Sequence, residues 1–60
     1  MQNIYVQFQD SSGTWKTTTV MDAGSSSMKI LMEMQNVKQW NPDLRVRTID
    51  ENGRIIDFLP

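Results

Sequence analysis

The sequence predicts an α+β fold of order ββαββ, a two-layer domain with one helix packed on one face of a four-stranded antiparallel sheet. Three observations carry that expectation. Residues 3–9 alternate apolar and polar; residues 25–40 space their apolar side chains at a helical period; and two segments share one turn spelling. Val6-x-x-x-Asp10-x-x-Gly13 recurs as Val46-x-x-x-Asp50-x-x-Gly53, with Ile4 matched by Leu44.

The first strand, 3–9, places Ile4, Val6 and Phe8 on one face, the period of a half-buried strand. Asp10-Ser11-Ser12-Gly13 is a turn, and 14–21 are rich in Thr and Val, which suit a pleated surface. Asp22 to Ser27 breaks the pattern, and Asp22, Ser25 or Ser26 can cap a helix by accepting an orphan backbone N–H. The helix runs from about Ser25 to Trp40 and stops at Asn41-Pro42, because the residue before proline avoids the α region. Ser27, Ile30, Leu31, Met34 and Val37 share one stripe, with Lys29, Glu33 and Asn36 opposite. Segments 44–50 and 54–59 are strand-like again.

The shared turn spelling fits a three-residue hairpin loop, a type I turn closed by a glycine in the left-handed region. Loop length sets register, and register sets which side chains face out. A two-residue Asn52-Gly53 loop pairs Arg47 with Phe58; a three-residue loop pairs Val46 with Phe58, Thr48 with Ile56 and Arg47 with Asp57. The second matches apolar with apolar and opposite charges with each other. It predicts a core of Ile4, Val6, Phe8, Val20, Ile30, Leu31, Met34, Val37, Leu44, Val46, Ile56 and Phe58, and puts Thr18 inward with Thr19 outward. Truncating Phe58 in that register is expected to cost about 3–5 kcal/mol.

Sixty residues make one domain, 1–60, with a thin core. Without Cys or His, neither disulfides nor the usual zinc ligands can reinforce it. Association is the remaining route, and a homodimer is expected. Lys+Arg of 6 against Asp+Glu of 7 argues against duplex nucleic acid as a partner. Apolar runs reach only three residues, as at Ile30-Leu31-Met32, too short for a membrane span or a signal-peptide core, so a cytoplasmic protein is expected.

Catalytic equipment is sparse. With no His and no Cys, the common nucleophile–base pairs are missing; Ser25 to Ser27 read as cap and linker, and the acids are scattered through turns. Asp50-Glu51-Asn52-Gly53 looks like the middle of a calcium loop, but its first and twelfth ligand positions are Thr48 and Leu59, so it reads as a turn. The expectation is a protein that is not an enzyme and uses no metal or cofactor.

Two surfaces remain as candidate partner sites. Tyr5, Trp15, Arg45, Arg47, Ile49, Ile55 and Leu59 are expected on the outer sheet face, where aromatics and arginines also suit single-stranded bases. Met28, Met32, Gln35 and Gln39 form a strip on the helix beside the core stripe, and methionine recurs at adaptable binding surfaces.

The strand, Gly13-Thr14-Trp15 turn, helix ending in Asn41-Pro42, and closing hairpin from Arg45 to Asp57 resemble small ββαββ proteins of phages and bacterial mobile elements. The resemblance rests on turn and core positions. It implies a fold and a genomic neighbourhood, with no activity to carry over; small phage proteins of this size often bind a host protein. The function expected is a non-enzymatic protein-binding module, a homodimer, of the kind that inhibits or modulates a host protein. The alternative is a single-stranded nucleic-acid binder using the outer sheet face.

Overall fold

The computed structural model describes residues 2–59. Strands β1 (Asn3–Gln9) and β2 (Trp15–Asp22) form a hairpin, helix α1 (Ser27–Trp40) follows, and β3 (Val46–Asp50) with β4 (Ile55–Leu59) closes the chain. The sheet is antiparallel throughout, in the order β2-β1-β3-β4. The ββαββ two-layer α+β architecture is the one the sequence predicts.

Both turns are built alike. Asp10 Oδ1 accepts from the backbone N–H groups of Ser12 and Thr14, and Asp50 Oδ1 does the same for Asn52 and Arg54. Each loop closes through the glycine N–H, Gly13 to Asp10 O and Gly53 to Asp50 O, both at 3.0 Å. Gly13 (φ 89°) and Gly53 (φ 82°) occupy the left-handed region, where a Cβ is strained. The loops are therefore three residues long, as expected.

Register follows expectation beside each turn and departs from it at a bulge, three pairs beyond the first turn and one pair beyond the second. In the first hairpin Gln7 pairs with Thr17 but Val6 with Thr19, leaving Thr18 as an extra residue. In the second, Ile49 pairs with Ile55 but Thr48 with Asp57, leaving Ile56 extra. A bulge inserts one residue and reverses the facing of everything after it. Val20 and Phe58, predicted in the core, thus lie on the outer face, while Met21, Thr19 and Leu59 turn inward. Arg47 sits opposite Phe58 rather than Asp57, and Thr48 opposite Asp57 rather than Ile56.

Ser26 is the helix N-cap; its Oγ accepts from Lys29 N–H. The helix stops at Asn41, whose N–H bonds Val37 O at 3.1 Å before Pro42 ends the run. Lys38 Nζ donates to Leu44 O and ties the loop into β3 to the last helical turn.

The core is one cluster between helix and sheet: Ile4, Val6, Met21, Ile30, Met34 and Val46, with Phe8, Val37 and Leu59 packed against it. Leu31 and Ile56, predicted inside, are exposed, and Leu44 is only partly buried. A 14-residue helix crossing one short sheet buries a single narrow line of side chains, here Ile30 and Met34, so Leu31 one position round falls on the rim. Thr48 completes the buried set at 0% exposure, facing Val6 across β1.

Candidate functional site

With the helix on one side, the other side of the sheet has no covering layer among the described residues. Cross-strand pairing lines up its side chains in rows. Val20 faces Tyr5, Tyr5 faces Ile49, and Ile49 faces Ile55, so an apolar row crosses all four strands. Its ends are strongly exposed, Val20 at 56% and Ile55 at 58%.

The next row is Thr17, Gln7, Arg47 and Phe58. It is held by a relay: Arg47 Nε donates to Gln7 Oε1 at 2.9 Å, and Gln7 Nε2 donates to Thr17 Oγ1 at 3.1 Å. Trp15 lies over this row. The Arg47 guanidinium carbon is 4.1 Å from the Trp15 ring centroid, a cation–π distance, and the Phe58 ring meets Trp15 edge-on at 6.5 Å. Two residues further along, Arg45 lies across from Gln9, whose N–H bonds Arg45 O at 2.9 Å. At the opposite end Asn3 pairs with Asp22 and donates its N–H to Glu51 Oε1 at 2.9 Å. The face thus runs from an acidic end (Asp22, Glu51), through the apolar row and the aromatic row, to a basic end at Arg45.

Of the seven residues assigned to this face from sequence, pairing and alternation put Tyr5, Trp15, Arg45, Arg47, Ile49 and Ile55 there. Leu59 is a correction: the bulge at Ile56 turns it inward, where it packs against the core cluster. Val20 and Phe58 replace it. Neither was readable as a surface residue, because each sits beside another apolar residue, Met21 or Leu59, that fills the core equally well.

The second predicted surface is also solvent-facing. Met28 and Met32 are 72% and 58% exposed, Gln35 and Gln39 are exposed, and Trp40 is exposed on the opposite shoulder of the helix. Among the described residues the helix strip carries no aromatic–cation contact like that of Arg47 and Trp15; its apolar part is the pair Met28 and Met32, one turn apart. An open groove of about 310 Å³ lies between β2 and the first half of α1, with Asp22, Lys29 and Glu33 among its lining residues. No described helix is long and apolar enough to cross a membrane.

The chain matches no family model, no curated protein and no solved structure.

Proposed function

We propose that the chain is a non-enzymatic, cofactor-free protein-binding module of the cytoplasm that works through the outer face of its sheet. The observation that carries this reading is the apolar row Val20–Tyr5–Ile49–Ile55, continued by Trp15 and Phe58, on a sheet face with no second layer. Contiguous apolar surface rimmed by charge is what protein partners bury. A homodimer that inhibits or modulates a host protein is the form this takes in the light of the resemblance to phage-type proteins.

The alternative, stacking of single-stranded bases, uses Tyr5, Trp15, Arg45 and Arg47. It is less well supported, because Arg47 already covers the Trp15 ring and is bonded to Gln7, and the chain carries net charge −1.

The test places a photo-reactive residue at Ile55, and separately at Met32, in the full chain expressed in its own cell. Protein adducts from position 55 that disappear on Val20→Asp support the reading. Adducts to nucleic acid at 55, or protein adducts from 32 alone, overturn it. In a Trp40→Phe background Trp15 is the sole tryptophan; quenching by oligonucleotide that salt reverses would favour the nucleic-acid alternative.

A further inference from the structure

We propose that the occupant of the outer sheet face is a second copy of this chain, docked face to face with its strands antiparallel to those of the first. The proposal rests on the reading above and adds the face on which the two copies meet and their orientation.

Charge chooses the orientation. Two copies stacked by a twofold axis lying in the interface can have that axis along the strands or across them. With the axis along the strands, Arg45 of one copy meets Arg45 of the other, and Asp22 and Glu51 meet their own kind; juxtaposed like charges oppose docking. With the axis across the strands, the basic end of each copy covers the acidic end of the other, Arg45 against Glu51 along the line of β3. The same operation lays each apolar row on the other copy's aromatic row, so Val20 and Ile55 meet Trp15 and Phe58. The rows are two residues apart, about 7 Å, so one axis midway between them satisfies both exchanges.

Size is compatible with a modest dimer. Four strands of five to eight residues, about 4.8 Å apart and rising about 3.4 Å per residue, outline a flat face on the order of 400 Å². That is below the ~800 Å² per partner of a standard stable interface, so the dimer is expected to form in the micromolar to millimolar range. Sheets packed this way stack ~10 Å apart with strands within about 30° of parallel or antiparallel alignment. A 60-residue chain with six buried hydrophobic side chains among the described residues gains from the second layer the burial it lacks alone.

The experiment is a charge exchange read by sedimentation velocity over micromolar to millimolar concentration, with far-UV circular dichroism confirming that each chain is folded. The native chain is expected to dimerise. Arg45→Glu alone and Glu51→Arg alone are each expected to weaken the dimer about tenfold or more, because both crossed contacts become repulsive. Mixing the two variants makes both contacts attractive again and is expected to restore the dimer as a heterodimer. That restoration needs no reference to the native fold, so it stands even where one variant is less stable by itself. A native chain that stays monomeric at millimolar concentration overturns the self-docking while leaving capture of another protein by the Ile55 probe as a separate result. A dimer indifferent to the mixing, or one abolished by Met28→Asp with Met32→Asp, overturns the orientation and the face.

Discussion

Thr48→Val is expected to stabilise the protein. Thr48 is completely buried on the helix side of β3, and its hydroxyl has no hydrogen-bond partner among the described residues. A buried, unpaired hydroxyl costs about 1–3 kcal/mol, since its bonds to water in the unfolded chain are not replaced. Valine keeps the branched shape and the strand preference while replacing oxygen by methyl against Val6, its neighbour on β1. Allowing for imperfect accommodation of the methyl, the gain is about 1–2 kcal/mol. With a urea slope of about 1 kcal/mol per molar for a chain this short, the denaturation midpoint rises by roughly 1–2 M at unchanged slope. The comparison is made at one protein concentration, because a dimer gains stability by mass action. A midpoint that is unmoved or lowered refutes the reasoning, and means that the hydroxyl is satisfied in solution.

The bulge at Ile56 leaves Phe58 40% exposed, so Phe58→Ala is expected to cost about 1–3 kcal/mol from partial burial and its edge contact with Trp15, less than Met34→Ala in the core at about 2–5 kcal/mol; thermal denaturation of both variants checks the order. Gly53→Ala meets nothing within 4 Å, so its cost of about 1–2 kcal/mol comes from backbone strain at φ 82° alone, and Gly53→Asn should recover part of it in the same assay. The Asp10 carboxyl is held at about 2, down from 3.8, chiefly by the Ser12 hydroxyl and then by the Thr14 N–H. Its folded value lies below its unfolded one, so the turn's contribution is complete above about pH 4 and is lost as pH falls toward 2. A carboxyl titration by NMR should find its midpoint near 2, and Asp10→Asn should flatten the acid side of the stability curve.

Much of the architecture is written in short-range chemistry. Asp10 with Gly13 and Asp50 with Gly53 specify their turns because the bonds that close them lie within four residues. Ser26 and Asn41-Pro42 bound the helix for the same reason, and the alternation of Ile4, Val6 and Phe8 assigns β1 its two faces. From these follow the ββαββ order, the helix on one face, and most of the outer-face residues.

Three things required the folded chain. The order β2-β1-β3-β4 depends on pairing β1 with β3 across forty residues, which no local signal encodes. The bulges at Thr18 and Ile56 lie in the two edge strands; Val20-Met21 and Ile55 to Leu59 offer apolar residues to both faces, so alternation could not choose between registers. The relay of Thr17, Gln7, Arg47 and Trp15 assembles from three strands and exists only once they pair. Turns and caps are decided by neighbours in sequence, so the sequence by itself determined them. Which apolar residue is buried and which is left exposed is decided by competition for one narrow core, and only the tertiary structure settles it.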